Sequence, residues 1–356
     1  MEQPVAVLML FALESVTSRR ALLVALALTA SGVSAGAEEF RIEEVASLAT
    51  AQLKPNVIAF TDHRKDDIAD PATGLIRFED WARLRPTQKQ LLGLYPGYVE
   101  PTVEVTVGGV TKPQIEKLQM YVAEARFVLS KPAASINLAR YAVLPFLQQI
   151  DPAITHKLIA ATDVLPPKEV DPEAHRPPDR HWCDPRPASI CIQSSYALEG
   201  KLPVGIRLVN KLTEGEKKIS DHLEFQSELR VLAPAEIDQS AIAKLTGINA
   251  PATGALEQNI FYVNQILRFG KFFAVLQPHP SDPNRTVASA YVALAIKAKV
   301  LENRKEYEGV PILRNLVPAQ VLVGNSSFNT GKSISAGLPV YARNQIKAVA
   351  TILERQ

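Results

Sequence analysis

Between residues 201 and 299 apolar and polar positions alternate with period two instead of recurring every three or four residues. The alternation is cleanest over 222–231, where Leu223, Phe225, Leu229 and Val231 interleave with His222, Glu224, Gln226, Glu228 and Arg230. A strand of this kind turns one face to a core and the other to water. Residues 202–212, 260–268 and 271–277 read as further strands, rich in β-branched and aromatic side chains. Over 286–300 the alanines favour helix. Yet Ala288, Ala290, Val292, Leu294 and Ile296 alternate with Ser289, Tyr291, Ala293 and Ala295, which predicts a strand paired with 271–277. One helix interrupts the strands: Pro234 opens it, Ile237, Ala241, Ile242 and Leu245 form its stripe, and Gly247 closes it. After a further short strand at 320–323, Pro339 starts a closing helix with Ala342, Ile346, Val349 and Leu353 on one face.

The first half reads differently. A short strand at 103–107 ends in Gly108-Gly109, and Thr111 with Gln114 forms a capping box. Ile115, Leu118, Val122, Ala125 and Leu129 then follow at helical spacing. Further helices are expected over 133–144, stopping near Pro145, and after Asp151-Pro152 through Ile154, Leu158 and Ile159. No glycine lies between Gly109 and Gly200, which favours a helical region. Pro166, Pro167, Pro172, Pro177, Pro178, Pro185 and Pro187 exclude helix or central strand and mark a linker. The expected division is a signal peptide over 1–37, a mixed, largely helical region over 38–164, a proline-rich linker with a cysteine pair over 165–200, and an α+β domain over 201–356.

Composition and charge settle the address more than the chemistry. Of 356 residues, 47% are hydrophobic and 21% charged, and the net charge of +2 gives no reason to expect nucleic acid as a partner. Arg19-Arg20, the apolar run 21–30 and Ala35-Gly36-Ala37 form the n-region, h-region and cleavage site of a secretory signal peptide. The run is too short to span about 30 Å of hydrocarbon, so no transmembrane segment is expected in the mature chain. The predicted location is periplasmic or secreted. Cys183 and Cys191 fit an oxidising compartment and are expected to form a disulfide; the other reading, a metal site with His175 and His181, matches no zinc spacing.

No motif names a reaction, so catalytic residues stay unknown, and no metal or cofactor is called for. Gly331-Lys332-Ser333 lacks the earlier glycine of a phosphate-binding loop, which would fall at Ser326. No G-x-S-x-G elbow and no H-E-x-x-H occur. Asp62-His63-Arg64-Lys65-Asp66-Asp67 is a dense charge cluster, read as a solvated loop with a carboxylate pair as the sharper alternative. Asn284 and Asn325 begin glycosylation sequons. Polar residues within apolar strands, Tyr262, Asn264, Gln277 and Tyr291, must be hydrogen-bonded or meet a ligand.

The order of strand, helix, several strands and long final helix over 201–356 is similar to the helix-grip arrangement of lipid- and hydrophobe-binding domains. The expected fold is therefore α+β, an antiparallel sheet with an intervening helix and the C-terminal helix packed across it, preceded by a smaller helical region. The resemblance implies an exported protein holding an apolar or amphipathic small molecule between sheet and closing helix, with Tyr262, Asn264, Gln277 and Tyr291 as ligand-binding candidates. An extracytoplasmic hydrolase with a dispersed site, or a structural role in the envelope, remains open beside it. The export signal makes one outcome directly measurable. N-terminal sequencing of protein from its native host should give a chain starting near Glu38, whereas an intact Met1 on a cytoplasmic product would contradict it.

Overall fold

The computed structural model describes residues 39–70, 74–92, 102–115, 117–152, 154–164, 182–197, 222–263, 267–298 and 334–355. The strands are β1 (Arg41–Glu44), β2 (Val57–Asp62), β3 (Ile76–Arg77), β4 (Thr102–Val107), β5 (Val110–Ile115) and β6 (Leu118–Leu129). They continue as β7 (Ile154–Leu158), β8 (Ser189–Ala197), β9 (His222–Leu232), β10 (Gly254–Val263), β11 (Leu267–His279) and β12 (Asp282–Lys297). The helices are α1 (Phe78–Leu84), α2 (Pro86–Leu92), α3 (Leu144–Ile150), α4 (Gln239–Thr246) and α5 (Ile334–Arg355).

Ten of the strands form one sheet in the order β1-β2-β6-β12-β11-β10-β9-β8-β7, with β3 also on β6. Among the named strands only β1 and β2 pair in parallel and the others pair antiparallel, with one isolated parallel bridge between Pro55 and Val128. The fold is thus α+β, a large and mostly antiparallel sheet with few helices and a long C-terminal helix. β4 and β5 make a separate two-stranded ribbon. Its two-residue turn places Gly108 and Gly109 at φ 59° and 82°, the left-handed pair that such a hairpin needs and that glycine adopts without strain.

Most strand and helix expectations of the second half hold where they fall on described residues. The strand expected at 260–268 does not: 260–263 end β10, and 267–268 open β11, which continues unbroken through 271–277. The polar residues Gln226 and Glu228 of β9 are buried and do not face water. β9 covers the alternating run, β12 resolves 286–297 as strand, and Asp238 caps α4 by accepting from the Ala241 N–H at 3.0 Å. Gly247 ends α4 at φ 69°, as a left-handed C-terminal residue. The helix expected to start at Pro339 begins earlier, at Ile334. The strands expected at 202–212 and 320–323, most of the proline-rich stretch, the signal peptide and Gly331-Lys332-Ser333 lie outside the described residues. No helix among the described residues is long and apolar enough to cross a membrane.

The helical expectation for the first half fails at three places. Residues 111–115 and 118–129 are strands, and β6 is central and covered on both faces: ten of its twelve residues are buried, so no polar face imposes period two. The apolar residues spaced like a helical stripe were one selection from a nearly continuous apolar run. Over 133–144 only two short 3₁₀ turns form, Ala133–Ser135 and Leu138–Tyr141, and Pro145 starts α3 rather than ending a helix. After Asp151 the chain enters β7 instead of a third helix, and Ile154 pairs with Tyr196. Because β6 pairs with β12 along its whole length, the two halves contribute adjacent central strands to one sheet.

Candidate functional site

Cross-strand register sorts the central side chains onto two unlike faces. One face carries Ala123, Ala125 and Phe127 of β6, Ala290, Val292 and Leu294 of β12, and Phe272, Ala274 and Leu276 of β11. It is apolar across these strands, and α5 packs on it over β6, β2 and β1 and beside α3. Ala342 and Ala350 are fully buried there, and their small side chains let the helix sit close to the sheet. Ion pairs fasten the helix at one side: Arg343 to Glu44, and Lys347 to Glu39 at 2.8 Å. At its end Glu354 accepts from the Ser130 N–H at 3.0 Å.

At the edge of this footprint a groove opens over β10, β11 and β12 and reaches Phe127 of β6. It encloses about 80 Å³ and is lined by Phe146 and Ile150 of α3, Leu256 and Phe272 of the sheet, and Ile346 and Val349 of α5. Leu256, Phe272, Ile150 and Val349 are only half-buried. Two amide side chains share the lining, Gln258 of β10 and Gln345 of α5. Gln258 donates through Nε2 to Ser227 Oγ at 3.0 Å, and Gln345 donates through Nε2 to Asp151 Oδ2 at 2.9 Å. Tyr341 meets Phe272 edge-on at 6.2 Å, and burial together with the nearby Asp151 raises its phenol pKa, keeping it neutral.

The opposite face holds charge. Lys271 Nζ lies 2.6 Å from Glu257 Oε2, and each side chain is 2% exposed. Arg230 reaches Glu257 at 3.5 Å and Glu236 at 3.1 Å. Burial opposes both charges of the pair. For Glu257 the adjacent ammonium outweighs burial and keeps the carboxyl below its usual range; for Lys271 burial prevails and pulls the ammonium pKa down. Glu228 accepts from the Cys183 N–H at 3.3 Å, and Cys183 is bonded to Cys191 with Cα atoms 5.4 Å apart. The expected disulfide is therefore present. Trp182 stacks on Phe261 beside it with ring centres 4.7 Å apart. On the same face a wider cleft of about 320 Å³ lies between α2 and α4, over Leu232 and Phe273. Its polar side chains, Gln90, Ser240 and Lys244, are exposed at the surface, and Asp238 is engaged in capping α4.

Of the four ligand-binding candidates, Gln277 and Tyr291 hydrogen-bond on this second face, and Tyr291 is also among the residues lining the groove. Gln277 donates to the carbonyls of Ile248 at 3.0 Å and Ala250 at 2.7 Å, and Tyr291 OH lies 3.5 Å from the Leu245 carbonyl. Tyr262 pairs with Gln226 in the sheet, and Asn264 lies outside the described residues. Sequence reading missed Gln258 and Gln345, for glutamines on a strand and on an amphipathic helix carry no motif.

The charge cluster at 62–67 is structured. Asp62 holds Arg64 at 2.9 Å and His63 Nδ1 lies 2.6 Å from Asp66 Oδ2, a hydrogen bond that lowers the Asp66 pKa against partial burial. Glu124, near His63, is pushed upward by burial. His156 and Ser194 form a pair across β7 and β8, Nδ1 to Oγ 2.8 Å, but Ser194 is fully buried and among the described residues no carboxylate holds the ring. Burial lowers the His156 pKa. His175, His181 and Asn325 lie outside the described residues. Among the described residues no three His, Cys, Asp or Glu side chains gather as a metal site. No protein-family model matches the chain, and no curated protein matches it.

The Lys271–Glu257 pair is a framework element, and this has a measurable consequence. Lys271→Met alone should destabilise the fold by about 3–5 kcal/mol by stranding a buried carboxylate. Combining it with Glu257→Leu should recover most of that loss in denaturant titrations. A single variant as stable as the parent would contradict the assignment.

Proposed function

We propose that the protein is an exported, non-catalytic binder of an apolar or amphipathic small molecule, held between the sheet and the C-terminal helix in the manner of helix-grip domains. The observation that carries this reading is the half-buried apolar lining of the groove: Leu256, Phe272, Ile150 and Val349 keep surface that a ligand would cover. The disulfide and the sequence signature of a signal peptide support an oxidising, extracytoplasmic location.

Size restricts the ligand. The enclosed 80 Å³ is about half the ~150 Å³ at which an engineered apolar cavity takes up benzene. A narrow alkyl end fits this depth, with the remainder of the chain lying along the open groove, whereas full enclosure of a long fatty acid does not fit. At about 0.8 kcal/mol per buried methylene, an eight-carbon chain contributes at most about 6 kcal/mol. The corresponding Kd is on the order of tens of micromolar or weaker.

Titration calorimetry with 1-octanol should therefore show saturable one-to-one binding between about 10 µM and 1 mM. Val349→Trp should fill the groove and abolish the binding while leaving the melting temperature within a few degrees. Absence of saturable binding, or binding indifferent to the tryptophan in a folded variant, would refute the reading.

A further inference from the structure

If the groove between sheet and α5 is the binding site proposed above, the register of its floor decides which tails it takes. We infer that the groove selects its ligand by the width of the tail, taking an unbranched alkyl chain and rejecting rings and branched ends, with Ala274 and Ala290 setting this selectivity. Three rows of cross-strand partners, each two residues from the next, share the α5 face of the sheet. In the middle row Leu256 pairs with Ala274, Ala274 with Ala290, and Ala290 with Ala125. On one side Leu276 pairs with Ala288, and Ala288 with Phe127. On the other Gln258 pairs with Phe272, and Phe272 with Val292. The middle row is therefore a trough floored by alanine on β11 and β12, with Phe127 and Leu276 along one wall and Phe272 and Val292 along the other. It runs across the strands and coincides with the groove, whose lining includes Leu256, Ala274, Ala290, Phe127, Phe272 and Val292.

Protein does not fill this trough along its whole length. Ala274 keeps accessible surface although β11 lies in the middle of the sheet. Ala125, the next alanine but one in the row, is fully buried where α5 packs on β6. The trough is thus open over β10 and β11 and closed at β6. Strand spacing makes it about 10 Å from β10 to β12, close to the length of an extended eight-carbon chain. Width is the sharper limit. The enclosed volume of about 80 Å³ is too small for a six-membered ring, given that benzene enters a cavity of ~150 Å³. A single file of methylenes fits over the two alanines. A ring or a tert-butyl end would have to displace a wall, and neither wall residue is free to yield. Val292 is 2% exposed, and Phe272 is held edge-on by Tyr341 at 6.2 Å.

The experiment titrates three primary alcohols of eight carbons into the full chain: 1-octanol, 5,5-dimethyl-1-hexanol with its tert-butyl end, and 2-cyclohexylethanol with its ring, all gaining about the same from burial if shape does not intervene. Octanol should bind, and each bulky-ended alcohol should bind at least about tenfold more weakly. Ala274→Leu and Ala290→Leu fill the floor, and each should weaken octanol binding by at least about tenfold. Val292→Ala lowers a wall and should bring both bulky-ended alcohols to within about threefold of octanol. Thermal melts report whether each variant is folded, and the comparison of the three alcohols on the unaltered chain needs no variant.

A bulky-ended alcohol binding less than about tenfold more weakly than octanol, and still lost in Val349→Trp, would overturn the selection by width and leave the groove reading intact. Octanol affinity unchanged in folded Ala274→Leu, or a preference unchanged in folded Val292→Ala, would overturn it too. If octanol itself does not bind, the groove reading falls and this inference with it.

Discussion

The ion pair between Lys271 and Glu257 constrains the rest of the sheet. Two charges at 2.6 Å, each side chain 2% exposed, stand near the middle of β10 and β11. Neither is tolerable there without the other, since a lone buried ion costs several kcal/mol. The consequence is register. Sliding either strand by one residue would carry its charge to the α5 face, among Phe272, Leu276 and Val292 and away from its partner. Arg230 and Glu228 extend the network across β9 to the backbone at Cys183, so the disulfide loop is fixed to the same charges.

Concentrating polarity on one face leaves the other apolar, and the groove follows from how that face is covered. α5 lies over β6, β2 and β1, drawn in by Ala342 and Ala350 and held by ion pairs to Glu44 and Glu39. It reaches β11 through Tyr341 on Phe272 but leaves part of that strand and of β10 uncovered, so Leu256 and Phe272 keep exposed surface between α5 and α3. Gly270 serves the same face: a side chain there would meet Leu294 at 2.8 Å and Ile260 at 3.0 Å, so its absence lets those two residues pack against the strand.

Much of the second half could be read from residues alone, because its elements are punctuated or alternate in residue type, although β9 and β12 are themselves mostly buried. β9 has a polar face, α4 has Pro234 before it and Gly247 after it, and β12 alternates alanines with larger side chains. β6 was misread because a strand buried on both sides has no polar phase to reveal its period, and residues can be picked from it at any spacing. The site was less legible than the fold. Gln277 and Tyr291 were right to look unusual, as polar groups inside a core, but backbone carbonyls in the α4 region are their partners. Glu257 and Lys271 are 14 positions apart and meet only through the β10–β11 pairing, which a linear pattern does not display. Gln258 and Gln345 gain meaning only once α5 is placed over the sheet.

The claim that one face of the sheet is framework and the other is the binding face can be tested by locating a bound alkyl chain. Intermolecular nuclear Overhauser effects from an octanol chain to assigned side chains of the isotope-labelled protein measure this directly. The account predicts contacts from the chain terminus to Leu256, Phe272, Ile346 and Val349, and none to Leu91, Ile242 or Leu245. Contacts to that second set, the residues of the cleft between α2 and α4, would place binding on the charged face and contradict it.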